Sequence, residues 1–233
     1  MTTKMTGKIA LVTGADGGLG RYVTQAFLDA GATVVGVSRK IQPSDFNSPF
    51  FTALPAEIST ADGSQKMVDS LVARFGRLDV LAHTVGGFSF GGPIAKTDDA
   101  TFQRMFEVNL NSTFYVLRAV IPVMRKTGKG RIIAIGSRAA LEPAAGVGAY
   151  SASKAAMVSL IRTAALENKD VGITTNVILP GTIDTPANRK EMPNADVSKW
   201  VQPSAIAELI VWLASDAGQS VNGAMIPVYG SDI

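Results

Sequence analysis

The stretch Ile9-Ala10-Leu11-Val12-Thr13-Gly14-Ala15-Asp16-Gly17-Gly18-Leu19-Gly20 sets an unbroken apolar run against a cluster of glycines, and the chain turns helical directly after it. A run that is apolar at every position, with no polar alternation, reads as a strand buried on both faces. Glycines at its end permit a tight turn and let the main chain approach a ligand closely. A helix starting there offers free N–H groups and the positive end of its dipole, a combination suited to a pyrophosphate. The stretch therefore predicts the first strand–turn–helix unit of a parallel α/β sheet. Its spacing is T-G-x-x-x-G-x-G, which differs from the G-x-G-x-x-G dinucleotide fingerprint.

Outward from this unit, short β-type runs alternate with longer helical ones. Strands are predicted at Ile9–Thr13, Thr33–Ser38, Phe51–Leu54, Val80–Thr84, Arg131–Gly136, Ile173–Ile178 and Met225–Val228. Helices are predicted near Leu19–Ala30, Thr60–Phe75, Ala100–Arg125, Ala149–Glu167 and Pro203–Ser215. This alternation predicts a Rossmann-type, doubly wound parallel sheet of about seven strands with helices on both faces. No linker or repeat divides residues 1–233, so a single domain is expected. Residues 40–49, polar with two prolines, lack the pattern of a crossover helix. Residues 182–201, irregular and interrupted by Pro186 and Pro193, are the expected substrate-covering loop.

Composition narrows the function classes. Apolar residues make up 46% and charged residues 18%, the balance of an ordinary globular chain. Net charge is only +3, and the basic stretch Arg125, Lys126, Lys129, Arg131 carries no interleaved aromatics, so no nucleic-acid partner is expected. There are no cysteines, which excludes thiol catalysis and cysteine-ligated metal, and no metal site is expected. No apolar run approaches the roughly 20 residues of a membrane span, and the opening lacks a secretory apolar core. A cytoplasmic location is the expectation.

The strand at Arg131–Gly136 delivers Ser137, and the helix beginning near Ala149 carries Tyr150 and Lys154. Residues four apart share a helix face, so Tyr150 and Lys154 can address one ligand. An ordinary tyrosine titrates near about 10, too high for proton transfer at neutral pH. A nearby ammonium and a cationic nicotinamide would both lower that value. At the end of the second strand, about 20 residues after the glycines, Ser38-Arg39-Lys40 stands where a carboxylate would bond a free ribose 2′-hydroxyl. A hydroxyl and two cations suit a 2′-phosphate instead. NADP(H) is the expected cofactor, with NAD(H) as the alternative.

The glycine turn, Ser137, and Tyr150-x-x-x-Lys154 together resemble the short-chain dehydrogenase/reductase family, with matching motifs from Gly7 to Gly223. The resemblance implies that Tyr150 protonates a carbonyl oxygen and Ser137 hydrogen-bonds it. Lys154 would bind the ribose hydroxyls and tune Tyr150. Asn109, in Val108-Asn109-Leu110-Asn111-Ser112, would anchor a water linking Lys154 to solvent; Asn111 is its rival, and the family spacing favours Asn109. Gly14, Asp16, Gly18, Leu19, Gly20, Ser38, Arg39, Glu57, Ile58, Thr84, Gly86, Tyr150 and Lys154 would line the dinucleotide. Pro180-Gly181-Thr182-Ile183-Asp184-Thr185 matches P-G-x-x-x-T, whose Ile183 backbone and Thr185 hydroxyl would hold the carboxamide.

The chain departs from the family in places. His83-Thr84-Val85-Gly86 replaces Asn-Asn-Ala-Gly, which puts the sheet-bracing asparagine in doubt and gives His83, the only histidine, a structural or ribose-edge role. Ile226-Pro227-Val228-Tyr229-Gly230 departs from the usual V-D-G-G ending. The expected activity is hydride transfer between NADP(H) and a small-molecule carbonyl or secondary alcohol. A 3-oxoacyl-[acyl-carrier-protein] reductase is an alternative, weakened by Val171 at a usually basic position. A quinonoid dihydropteridine reductase is another, suggested by the loop ending at Trp200 and by Phe88, which could stack on a flat ring. A catalytically silent dinucleotide sensor is the non-enzymatic alternative, disfavoured by the intact tyrosine and lysine. The apolar residues Val116, Val120, Met157, Leu160 and Ile161 predict helix pairing across a two-fold axis in a homotetramer or homodimer.

Overall fold

The computed structural model describes residues 4–231. Seven parallel strands form one sheet: β1 (Ile9–Thr13), β2 (Thr33–Ser38), β3 (Phe51–Pro55), β4 (Val80–His83), β5 (Gly130–Ile135), β6 (Ile173–Pro180) and β7 (Met225–Val228). Their spatial order is β3-β2-β1-β4-β5-β6-β7. The winding direction reverses between β1 and β4, so the crevice outside their carboxyl ends is where such a sheet takes its ligand.

Side chains alternate across this sheet. Ala10 and Val12 of β1 belong to one core cluster with Val23 and Phe27 of α1 (Gly20–Asp29) and Ile206 and Ile210 of α7 (Pro203–Ala214). Leu11 points to the opposite cluster with α2 (Ala61–Phe75), α4 (Ser112–Thr127) and α5 (Gly148–Asn168). Each fully buried large apolar side chain contributes about 1.5–3 kcal/mol, which is why the strands read as continuous apolar runs.

Three expectations are corrected. The helix predicted over Ala100–Arg125 is divided into α3 (Asp99–Phe106), a π-helical turn (Glu107–Asn111) and α4. Within the turn the Ser112 N–H reaches the Glu107 carbonyl, and the hydroxyls of Ser112 and Thr113 donate to the carbonyls of Val108 and Asn109 at 2.7 Å each. Residues 182–201 are not irregular: α6 (Pro186–Glu191) forms there because Thr185 caps it and Pro186 occupies its first turn. The apolar residues assigned to subunit pairing lie in the core: Val116, Val120, Met157 and Ile161 are fully buried, and Leu160 packs against the same cluster. Two helices lying side by side over one sheet face need a deeper apolar stripe than one helix does. As the polar composition of residues 40–49 predicts, β2 connects to β3 with only a 3-10 turn at Pro43–Asp45.

Among the described residues no helix is long and apolar enough to cross a membrane.

Candidate active site

At the carboxyl end of β1 the chain turns through Gly14, whose φ of 72° lies in the left-handed region. The N–H groups of Gly14 and Ala15 both donate to the Val37 carbonyl, at 2.7 and 3.1 Å, which moors the turn to β2. A Cβ on Gly20 would overlap the Gly14 carbonyl oxygen. The N–H groups of Gly18, Leu19 and Gly20 have no acceptor among the described residues, so the start of α1 presents unpaired donors. The Asp16 carbonyl accepts from Arg21 Nε at 3.1 Å. Thr84 closes the turn from the side, donating its hydroxyl to the Thr13 carbonyl at 2.6 Å.

Ser38 Oγ accepts from the Lys40 N–H at 3.2 Å, while Arg39 and Lys40 are exposed. Glu57 is exposed at the end of β3, and hydrogen bonds from Ser59, helped by the Arg39 charge, hold its carboxyl below the usual range. Ile58 is buried in the core.

The second cluster grows from β5, α5 and the π-turn. Ser137 follows β5, and its hydroxyl lies near enough to the Tyr150 phenol on α5 to favour the phenolate. Burial raises the Tyr150 phenol above its ordinary value, and the nearby Ser137 hydroxyl offsets this only in part. Of the two cations expected to lower the phenol, an ammonium and a bound nicotinamide, the ammonium is turned elsewhere. Lys154, 4% exposed, donates Nζ to the Ile135 carbonyl at 2.9 Å, and burial lowers it to about 8.

Gly86 borders the same point: a Cβ there would stand 2.9 Å from Lys154 Nζ and 3.1 Å from Asn109 Oδ1. Asn109 is fully buried and well satisfied. Its Oδ1 accepts from the Gly87 N–H at 2.9 Å, and its Nδ2 donates to the Gly87 carbonyl and to Ser153 Oγ, both at 3.0 Å. Ser153 in turn donates to the Tyr150 carbonyl at 2.8 Å. Asn109 thus braces the loop after β4 against the helix that carries Tyr150. Asn111 makes no hydrogen bond in this cluster among the described residues.

His83 is buried behind these groups. Thr113 spends its proton on the Asn109 carbonyl, so its oxygen accepts from His83 Nε2–H at 3.1 Å. Nδ1 is then the acceptor for the Thr13 hydroxyl at 2.8 Å. The imidazole is a neutral bolt between β1 and the start of α4, with neither nitrogen left for a ligand. Burial, assisted by the Lys154 charge, lowers its pKa to about 3. An unfolded histidine titrates near about 6.5, so between these values the unfolded chain binds the extra proton. Stability from this site is full above about pH 6.5 and is lost as pH falls toward 3. Between pH 7 and pH 5 we expect His83 to remove about 2 kcal/mol. Urea unfolding of wild type and His83→Asn at both pH values checks this; equal losses in the two proteins would refute it.

On the far side, β6 ends at Pro180, and Gly181 lies where a Cβ would meet the Tyr229 carbonyl oxygen at 2.9 Å. Ile183 forms a parallel bridge with Val201, using the Thr182 carbonyl and the Asp184 N–H. The Ile183 carbonyl accepts from Asn188 Nδ2 at 2.8 Å, whereas its N–H has no acceptor among the described residues. Thr185 Oγ1 accepts from the Asn188 N–H at 3.2 Å and keeps its own proton to donate. Its methyl group stands 2.9 Å from where a Gly18 Cβ would be, so the glycine turn and this segment touch. Arg189 grips Asp184 through two hydrogen bonds, at 2.6 and 2.8 Å.

Sequence reasoning had reached Phe88, whose ring meets Tyr150 edge-on at 5.0 Å between centroids. It missed Ser153 and Thr113, because hydrogen bonds to residues 44 and 30 positions away leave no local signal. It also missed Phe90, for which the signal was an aromatic residue inside a glycine-rich, uncharged stretch.

Comparison with known proteins agrees with this fold. A family model described as short chain dehydrogenase matches residues 8–196. The chain is 31% identical to a 2,5-dichloro-2,5-cyclohexadiene-1,4-diol dehydrogenase of Sphingobium indicum, covering 99% of this chain and 98% of that protein. It is 27% identical to a 3-oxoacyl-[acyl-carrier-protein] reductase of Thermotoga maritima, over 97% and 98% of the two chains. Among solved structures, ElxO with NADP bound superposes with a TM-score of 0.90 at 25% identity, covering 96% of this chain and 97% of that one.

Proposed function

Since the chain belongs to the short-chain dehydrogenase family, we propose that it is an NADP(H)-dependent oxidoreductase exchanging a hydride with a carbonyl or secondary alcohol. The observation that carries this reading is the convergence of Ser137, Tyr150 and Lys154 at the carboxyl edge of the sheet, beside a glycine turn with unpaired N–H donors. One domain, residues 1–233, would serve both cofactor and substrate, with residues 182–201 covering the substrate.

The residues present fit a dinucleotide. Three free N–H groups at the start of α1 suit the pyrophosphate, and the unpaired Ile183 N–H suits a carboxamide oxygen. Ser38 and Arg39 suit a 2′-phosphate, as the NADP-bound relative supports. When bound, the nicotinamide supplies or accepts the hydride. In reduction, the Tyr150 hydroxyl donates its proton to the carbonyl oxygen while Ser137 hydrogen-bonds that oxygen. Burial keeps the Tyr150 proton in place at neutral pH, as a donor requires. Lys154 Nζ, held by the Ile135 carbonyl, would bind the ribose hydroxyls of the dinucleotide. Asn109 and Ser153 hold the backbone that carries Tyr150 in place.

The exposed Leu166 and Met225, on α5 and β7, support a homodimer or homotetramer as the working form. The 3-oxoacyl-[acyl-carrier-protein] reductase reading keeps one support, the Thermotoga maritima relative.

Cofactor preference tests the nucleotide end. In Ser38→Asp/Arg39→Leu the new carboxylate repels a 2′-phosphate and accepts from a free 2′-hydroxyl, and the cation is gone. The ratio of kcat/KM for NADPH over NADH should fall by about 100-fold, the effect of losing one charge-assisted contact and adding one repulsion. A wild-type preference for NADH would refute the assignment of Arg39.

A further inference from the structure

Beside the catalytic hydroxyl lies a surface that the proposed chemistry does not explain. Phe88, Phe90 and Ile94 are 59%, 70% and 83% exposed, three large apolar side chains within seven residues. Their positions are fixed by close packing. Phe88 meets the Tyr150 ring at an interplanar angle of 78°. The Phe90 ring occupies the space a Cβ on Gly146 would need, and Ile94 Cγ1 lies 3.1 Å from the corresponding point on Gly148. The Gly91 N–H donates to the Gly146 carbonyl at 3.0 Å and joins the two segments. The three side chains therefore form a wall along the start of α5 that ends at Tyr150.

The wall carries almost no charge. Residues 85–95 contain no ionisable side chain. Between Ala139 and Tyr150 the only one is Glu142, paired with Arg138 at 2.6 Å. Arg138 also lies over the Tyr229 ring, 4.7 Å from its centroid, and is thus engaged on both sides. A carboxylate or phosphate lying against residues 85–95 meets no cation within them, Lys96 being the first beyond their end, whereas an apolar ring meets two phenyl groups. Aromatic contacts of this kind add about 0.5–1.5 kcal/mol beyond the burial of area.

We propose that the substrate is neutral and bears its carbonyl, or the corresponding secondary hydroxyl, on an apolar ring system that lies against Phe88 and Phe90. This rests on the oxidoreductase reading above and names the substrate class within it.

The test uses the full chain with NADPH and three probes: 1-tetralone, dihydroxyacetone and acetoacetate. We expect kcat/KM for 1-tetralone to exceed that for either other probe by about 100-fold. Phe90→Ala, which leaves Tyr150 untouched, and Phe88→Ala should each lower the 1-tetralone to dihydroxyacetone ratio about tenfold, chiefly through KM. Ligand-observed NMR of 1-tetralone with NADP+ gives a readout without turnover, and its saturation transfer should weaken in Phe90→Ala. Dihydroxyacetone or acetoacetate reduced as well as 1-tetralone would overturn the proposal, and so would an unchanged ratio in both variants. A fall in oligomeric mass of Phe90→Ala by light scattering would also overturn it, assigning the wall to a second copy of the chain. If 1-tetralone binds by NMR while no probe consumes NADPH, the wall stands and the oxidoreductase reading fails.

Discussion

Tyr150→Phe should lower turnover at least about 100-fold while leaving NADPH affinity within about threefold of wild type, as expected for loss of a proton donor. The substitution deletes one oxygen and preserves the ring, so the edge contact with Phe88 and the packing of α5 survive. What disappears is the hydroxyl that gives its proton to the carbonyl oxygen. Ser137 cannot replace it at neutral pH, because an alcohol gives up its proton far less readily than a phenol. Lys154 cannot replace it either, since Nζ is held by the Ile135 carbonyl. Cofactor affinity should persist because the free N–H groups of Gly18, Leu19 and Gly20 lie on another element. Initial rates with NADPH, paired with a fluorescence titration of the cofactor, separate the two quantities. Unchanged turnover would remove Tyr150 from the mechanism.

Gly20→Ala should weaken NADPH binding at least about 100-fold, the loss of two charge-assisted hydrogen bonds. The new methyl would overlap the Gly14 carbonyl oxygen and stand 3.0 Å from Ala15 Cα, both of them backbone. Backbone here has little room to yield, because Gly14 and Ala15 are tied to β2 through Val37. The start of α1 must therefore retreat and carry its donors away from the phosphates. Gly18→Ala makes a graded comparison, since its methyl meets only the Thr185 side chain. Its loss of affinity should be smaller. Titration calorimetry on both variants, with circular dichroism to establish folding, decides the matter. A folded Gly20→Ala that binds NADPH like wild type would refute the assigned turn.

Much of this arrangement was legible in the sequence because it rests on local pattern. Buried strands such as Ile9–Thr13 and Thr33–Ser38 are apolar runs ended by glycine or polar residues, and they appear with those bounds. Ser137, Tyr150 and Lys154 were legible as a motif, and the packing of α5 against β6 and the turn after β5 brings them together. The π-turn was not, because Glu107–Asn111 contains neither proline nor glycine and keeps helical periodicity. Pro186 was read as a breaker, whereas after a capping threonine it starts a helix. The hold of the Ile135 carbonyl on Lys154 was not legible, because a sequence shows that a lysine is near but not where its ammonium points. His83 could be placed at a strand end, but its neutral tautomer depends on Thr13 and Thr113, far away in the chain.

The packing of α1 against α7 has a consequence during synthesis. Val23 and Phe27 of the first helix find their cover in Ile206 and Ile210, near the other end of the chain. A ribosome making about 5–20 residues per second takes on the order of ten seconds or more to reach them. Until then that face of α1 stays uncovered. The half of the nascent chain that carries the glycine turn is thus the half most in need of a chaperone. Truncation before residue 203 should yield an aggregating fragment rather than a smaller cofactor-binding unit.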